Sequence, residues 1–157
     1  MKPLDGARLQ RLLHGQRWGC LGTLDGGQPS LSWVAYALDG QGGLLLHLSR
    51  LARHTRNLLV DGKVSLALTE RDEGCGDPQT LARITLDGMV VPLAGDDEVY
   101  RAGRECYLAR LPDAAMLFDF KDFSLFRLTP QTARYVEGFG SSHRLPAEQL
   151  QGLLTPR

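Results

Sequence analysis

The clearest patterning in this chain runs from Ala82 to Val90. Ala82, Ile84, Leu86 and Val90 fall on one side of an extended backbone, and Arg83, Thr85 and Asp87 on the other. That alternation marks a strand with one apolar and one polar face. Lys63–Thr69 repeats it, with Val64, Leu66 and Leu68 together. Strands are also predicted over Arg17–Leu24 and Ser30–Leu38, joined at Asp25-Gly26-Gly27, a hairpin signal. Leu44–Leu48 follows the turn Asp39–Gly43 and suits a buried strand, and Phe123–Leu128 and Ala133–Phe139 bring the count to about seven.

Helical spacing governs other stretches. Asp5–Gly15 has Asp5 as N-cap and Leu9, Leu12 and Leu13 as an apolar stripe. Leu51–Val60 reads as a short helix. Asp96–Leu111 starts on acids and carries its arginines later, matching the macrodipole, and Pro112 stops it. Ala114–Phe120 is a short helical or turn segment, and Pro146–Leu154 a terminal helical turn. Strands joined mostly by tight turns, without regular strand–helix alternation, disfavour a doubly wound sheet. The expected fold is mainly β with peripheral helices, an antiparallel barrel formed as one domain over residues 1–157.

Charge narrows the function. Lysine plus arginine and aspartate plus glutamate number 18 each, which argues against a chain that coats nucleic acid. The start of the chain has no continuous apolar run, so neither a signal peptide nor a membrane span is predicted. Cys20, Cys75 and Cys106 form no Cys-x-x-Cys pair, which points to reduced thiols in a cytoplasmic protein and to no zinc site.

One stretch concentrates chemistry. From Arg50 to Lys63 there are four basic side chains against one acid, Asp61, at a strand-to-helix junction. Free N–H groups there attract anions, and Ser49, Thr55 and Asn57 add donors. The same spacing of Arg50, Arg53 and Arg56 also describes a solvated helix face, and spacing alone leaves both readings open. No His-Glu-x-x-His, Gly-x-Ser-x-Gly or phosphate loop occurs. Gly138–Ser142 reads as a flexible turn. Phe118, Phe120, Phe123 and Phe126 read as core more readily than as a cofactor wall.

Taken in order, Leu48-Ser49-x-Leu51-Ala52-x-His54-Thr55-x-Asn57-Leu58, Val64-Ser65-Leu66, Arg83-Ile84-Thr85-Leu86-x-Gly88 and Tyr107-Leu108-Ala109-Arg110-x-Pro112 resemble the pyridoxamine 5′-phosphate oxidase-like superfamily, and within it the haem-utilisation branch. The resemblance implies a split β-barrel homodimer with FMN at the subunit interface. It places the phosphate at Ser49, Arg53, His54, Thr55 and Asn57, and the isoalloxazine ring along Ser32, Trp33 and Val34. Arg83 stands where the oxidases have a glutamine that reaches the cofactor from the partner; a dimer-interface salt bridge is its alternative role. The activity implied is that of an FMN-dependent oxidoreductase on a small organic substrate, with no catalytic side chain assigned. The uncharged Ser32–Leu38 stretch lacks the oxidases' basic residues, so vitamin oxidase activity is not expected. The branch gives haem binding as the alternative, with His143, expected in a surface loop, as the late histidine; a non-catalytic dimeric module is a further alternative.

Overall fold

Burial alternates along β1 (Trp18–Asp25), β5 (Lys63–Thr69) and β6 (Arg83–Pro92), and this periodicity builds the fold. The computed structural model describes Lys2–Pro156. The remaining strands are β2 (Gln28–Ala35), β3 (Ala37–Leu38), β4 (Leu44–Ser49), β7 (Phe123–Val136) and β8 (Ser142–Pro146). They form one sheet in the order β2-β1-β5-β6-β7-β4-β3, with β8 paired to β7. Every pairing is antiparallel. The sheet curls until β2 comes against β4, giving a split half-barrel, mainly β, as the sequence leads one to expect.

The inner side is a leucine-rich core. Leu21, Leu44, Leu46, Leu66, Leu86 and Phe126 have no exposed surface, and each such side chain contributes about 1.5–3 kcal/mol by burial. Two helices close the barrel. In α1 (Gly6–Gly15) Leu9, Leu12 and Leu13 face inward, and Asp5 caps it by accepting from Arg8 N at 2.9 Å. In α4 (Ala147–Leu154) Leu150 and Leu154 do the same. A smaller cluster of Ala37, Leu45, Tyr107 and Leu125 lies under α3 (Glu98–Arg110), whose N-cap is Asp97. The short helix α2 (Arg53–Val60) buries Thr55, Asn57 and Leu58.

Three expectations are corrected. Ser30–Leu38 is two strands, because Tyr36 breaks away: its N–H donates to Arg17 O at 3.0 Å and its hydroxyl to Leu13 O at 2.8 Å. Phe123–Leu128 and Ala133–Phe139 are instead a single 14-residue strand. Pro130 sits within it where the register against β6 shifts between Asp87 and Gly88, a bulge that tolerates a proline. The turn at Gly138–Gly140 joins β7 to an eighth strand, so His143 lies on β8 opposite Tyr135 and not in a loop. Among the described residues, no helix is long and apolar enough to cross a membrane.

Candidate functional site

The residues expected to hold a phosphate gather around the start of α2. Three of the five, Ser49, Arg53 and Asn57, are already bonded within the chain. Ser49 Oγ donates to Asp122 Oδ2 at 2.5 Å and accepts from Leu51 N at 3.2 Å. The Arg53 guanidinium pairs with Asp25, in the turn between β1 and β2. Asn57 Nδ2 donates to Thr23 Oγ1 at 3.1 Å, pinning α2 to β1. Thr55 is wholly buried with an unpartnered Oγ1. His54 is half-buried, and burial pulls its pKa down. Ala52 gives α2 no side-chain cap, so the first-turn N–H groups stay available to an anion.

Strand parity separates the other expected residues. Ser32 and Val34 lie opposite Leu21 and Gly19, and Val34 is buried in the core. Trp33 lies opposite Cys20 on the outer side and is 58% exposed; Trp18 on β1 is 55% exposed. The two indoles stack, with centroids 6.1 Å apart and planes 10° apart. Arg83 opens β6 on that same outer side, and its Nη1 donates to the carbonyls of Gln79 at 3.0 Å and Leu81 at 3.1 Å.

Trp33 and Arg83 share a hollow of about 310 Å³, floored by Cys20, Ala67 and Val136. Arg83 and Val136 also border a second hollow of about 570 Å³, formed by the Gly138–Ser142 turn with Phe139 at its rim. The structure thus joins Trp33 to Arg83, and none of the α2 residues lines either hollow.

A third feature escaped the sequence. His47 on β4 is 7% exposed, and its Nδ1 is enclosed without a hydrogen-bond partner. Its ring stacks on Phe118 at 3.7 Å and 5°, and the Arg104 guanidinium lies 5.3 Å from the Phe118 centroid. Burial first, and Arg104 second, lower the His47 pKa to about 4, so the imidazole is neutral at pH 7. With Trp18, Ala35 and Tyr107 it lines a cavity of about 560 Å³. The one signal in the sequence was a lone polar residue in the apolar run Leu44–Leu48. His143 lies elsewhere: its Nε2 is 3.1 Å from Ser141 Oγ and its ring is near Tyr135.

Residues 2–151 match the family described as "CREG, beta-barrel". The chain belongs to the CREG β-barrel family. This membership agrees with the split-barrel, haem-branch resemblance read from the sequence. Its relatives include the "Non-canonical heme oxygenase HOZ, chloroplastic" of Arabidopsis thaliana, 37% identical over 137 residues, covering 85% of this chain and 40% of the relative. "Heme oxygenase HutZ" of Vibrio cholerae is 29% identical over 136 residues, covering 83% of this chain and 74% of the relative. A solved heme binding protein of Mycobacterium smegmatis superposes with a TM-score of 0.85 at 31% identity, covering 97% of this chain and 62% of that one. The chain therefore spans less than two thirds of the Arabidopsis and mycobacterial proteins.

Proposed function

We propose that this CREG-family protein is a cytoplasmic haem-binding module that works as a single-domain homodimer and takes haem on the outer face of its sheet. The observation that carries this reading is the pairing of the exposed Trp33, stacked on Trp18, with an apolar floor and the Arg83 guanidinium. A porphyrin is a flat apolar plane with acidic groups at one edge, and such a surface suits both parts of it. Haem-binding relatives support the same reading. When bound, haem would supply a redox-active iron; the chain's own residues provide the apolar surface and the charge. No histidine lines the two hollows among the described residues; His54 on α2 and His143, in register with the buried Tyr135, lie off this face.

FMN is the second reading, favoured by the uncapped first turn of α2 beside Arg53 and His54 and by the orphaned Thr55 Oγ1. Against it, Ser49, Arg53 and Asn57 are bonded to Asp122, Asp25 and Thr23. A phosphate would have to displace those contacts, and charge-assisted ones are worth about 1.5–3 kcal/mol each. Only with FMN bound would the chain serve as an oxidoreductase on a small organic substrate.

Absorption titrations with haemin and with FMN separate the two. The haem reading expects a saturable Soret shift with haemin, weakened in Arg83→Gln, and no spectral change with FMN. Uptake of FMN that Arg53→Ala with His54→Ala abolishes, alongside an unshifted haemin spectrum, would overturn it.

A further inference from the structure

The outer face carries more positive charge than Arg83 alone. In the β7–β8 register Arg134 stands directly opposite Arg144, and in the β6–β7 register it stands opposite Thr85. Arg83 is two residues before Thr85, on the same side of β6. Three guanidiniums therefore share one face of three adjacent strands, and all three residues are exposed.

Like charges placed directly opposite in a sheet repel. The ion pairs of the described residues are Arg8–Glu70, Arg53–Asp25, Arg71–Glu73 and Arg127–Asp39, and none relieves this cluster. Arg83 bonds only to carbonyls. The carboxylate on the same face is Asp87, opposite Thr132, and its Oδ1 accepts from Ser65 Oγ on β5. The chain as a whole has no net charge, so the cluster is a local concentration and not a sample of a basic surface. Arg134 also lines the 310 Å³ hollow with Arg83 and Trp33, which sets its charge at the edge of an apolar floor.

We infer that Arg134 and Arg144 clamp the carboxylates of a flat, apolar dicarboxylate lying across the hollow between Trp33 and Arg134, with Arg83 beside them. The inference rests on the haem reading and deepens it: the porphyrin's acidic edge points toward β7 and β8. Guanidinium forks meet carboxylates through paired hydrogen bonds, which a lysine cannot reproduce.

The test compares haemin with haemin dimethyl ester, which keeps the plane and the iron but lacks the carboxylates. Each is titrated into the full chain and into Arg134→Gln/Arg144→Gln, with circular dichroism confirming that the variant is folded. The wild type should prefer haemin at low salt. The double variant should bind haemin about tenfold or more weakly, from loss of at least one charge-assisted contact, and bind the ester as the wild type does. Arg134→Lys/Arg144→Lys should recover only part of the preference, and the wild-type preference should shrink as salt rises. Equal haemin affinity in wild type and double variant overturns the clamp and leaves the haem reading standing. If the wild type binds neither compound, the haem reading itself fails, and the clamp with it.

Discussion

Replacing His47 with phenylalanine keeps an aromatic ring against Phe118 and removes the enclosed, unpartnered Nδ1. An unfolded histidine titrates near 6.5, whereas in the fold His47 does so at about 4. Between those values the unfolded chain holds a proton that the folded chain refuses. Stability therefore falls as pH drops from 6.5 toward 4, is complete above that window, and loses nothing further from this residue below it. At 1.36 kcal/mol per pH unit the whole window is worth about 3 kcal/mol, and by pH 4.5 most of it, about 2–3 kcal/mol, should be gone. The assay is urea unfolding at fixed protein concentration, in steps from pH 7.5 to pH 4.5, for wild type and His47→Phe. Carboxylates and His54 titrate in both proteins, so the difference between the two curves isolates His47. That difference should shift in favour of the variant by about 2–3 kcal/mol across the range. Parallel curves would refute the claim that His47 is held neutral by burial.

Further outcomes are expected elsewhere in the molecule. Glu70 accepts from Arg8 Nε at 2.7 Å, Arg8 Nη2 at 2.6 Å and Ala82 N at 2.9 Å, and the bonded Arg8 holds its carboxyl below the usual range. Glu70→Gln should cost about 1–2 kcal/mol at pH 7 in urea unfolding. That cost should vanish as acid drops the pH through the folded carboxyl's own pKa; a cost that persists in acid would argue against the ion pair. A Cβ on Gly88 would run into Thr129 O and the Pro130 backbone at the β7 bulge. Gly88→Ala should therefore lower stability by about 1–3 kcal/mol, and an unchanged midpoint would show that the bulge is not tightly packed. Leu31 is 73% and Trp33 58% exposed on the outer side of β2, and Trp33→Glu should weaken haemin binding in the absorption titration about tenfold. Unchanged affinity would remove Trp33 from the haem face.

Much of the fold is legible from local pattern. The strict alternation of Ala82–Val90 reappears as a strand with Ala82, Ile84, Leu86 and Val90 buried, and the stripe of Leu9, Leu12 and Leu13 is the buried face of α1. What local pattern hides is set by distant partners. Tyr36 leaves its strand for Leu13 and Arg17. Pro130 looks like a strand breaker until β6 supplies the bulge. Ser142–Pro146 has one buried leucine, Leu145, and becomes a strand only because β7 is there to pair with it.

The site divides in the same way. The motif around His54 locates the junction between β4 and α2, but its spacing says nothing of Asp122 and Thr23, the residues that occupy Ser49 and Asn57. Trp33 and Arg83 were expected at the cofactor for separate reasons, and the pairing of β1, β5, β6 and β7 is what brings them to one hollow. Trp18, Arg134 and His47 carry no motif; register and burial alone place them.

The chain has two tryptophans, and they are the stacked pair Trp18 and Trp33. Their fluorescence therefore reports directly on the outer face. Titrating haemin should quench it saturably, with an endpoint of one haem per chain or one per dimer, and a Soret shift should run in step; FMN at the same concentrations should do neither. Haemin that leaves the fluorescence unquenched, or FMN that quenches it saturably in haemin's place, would contradict haem binding at this face.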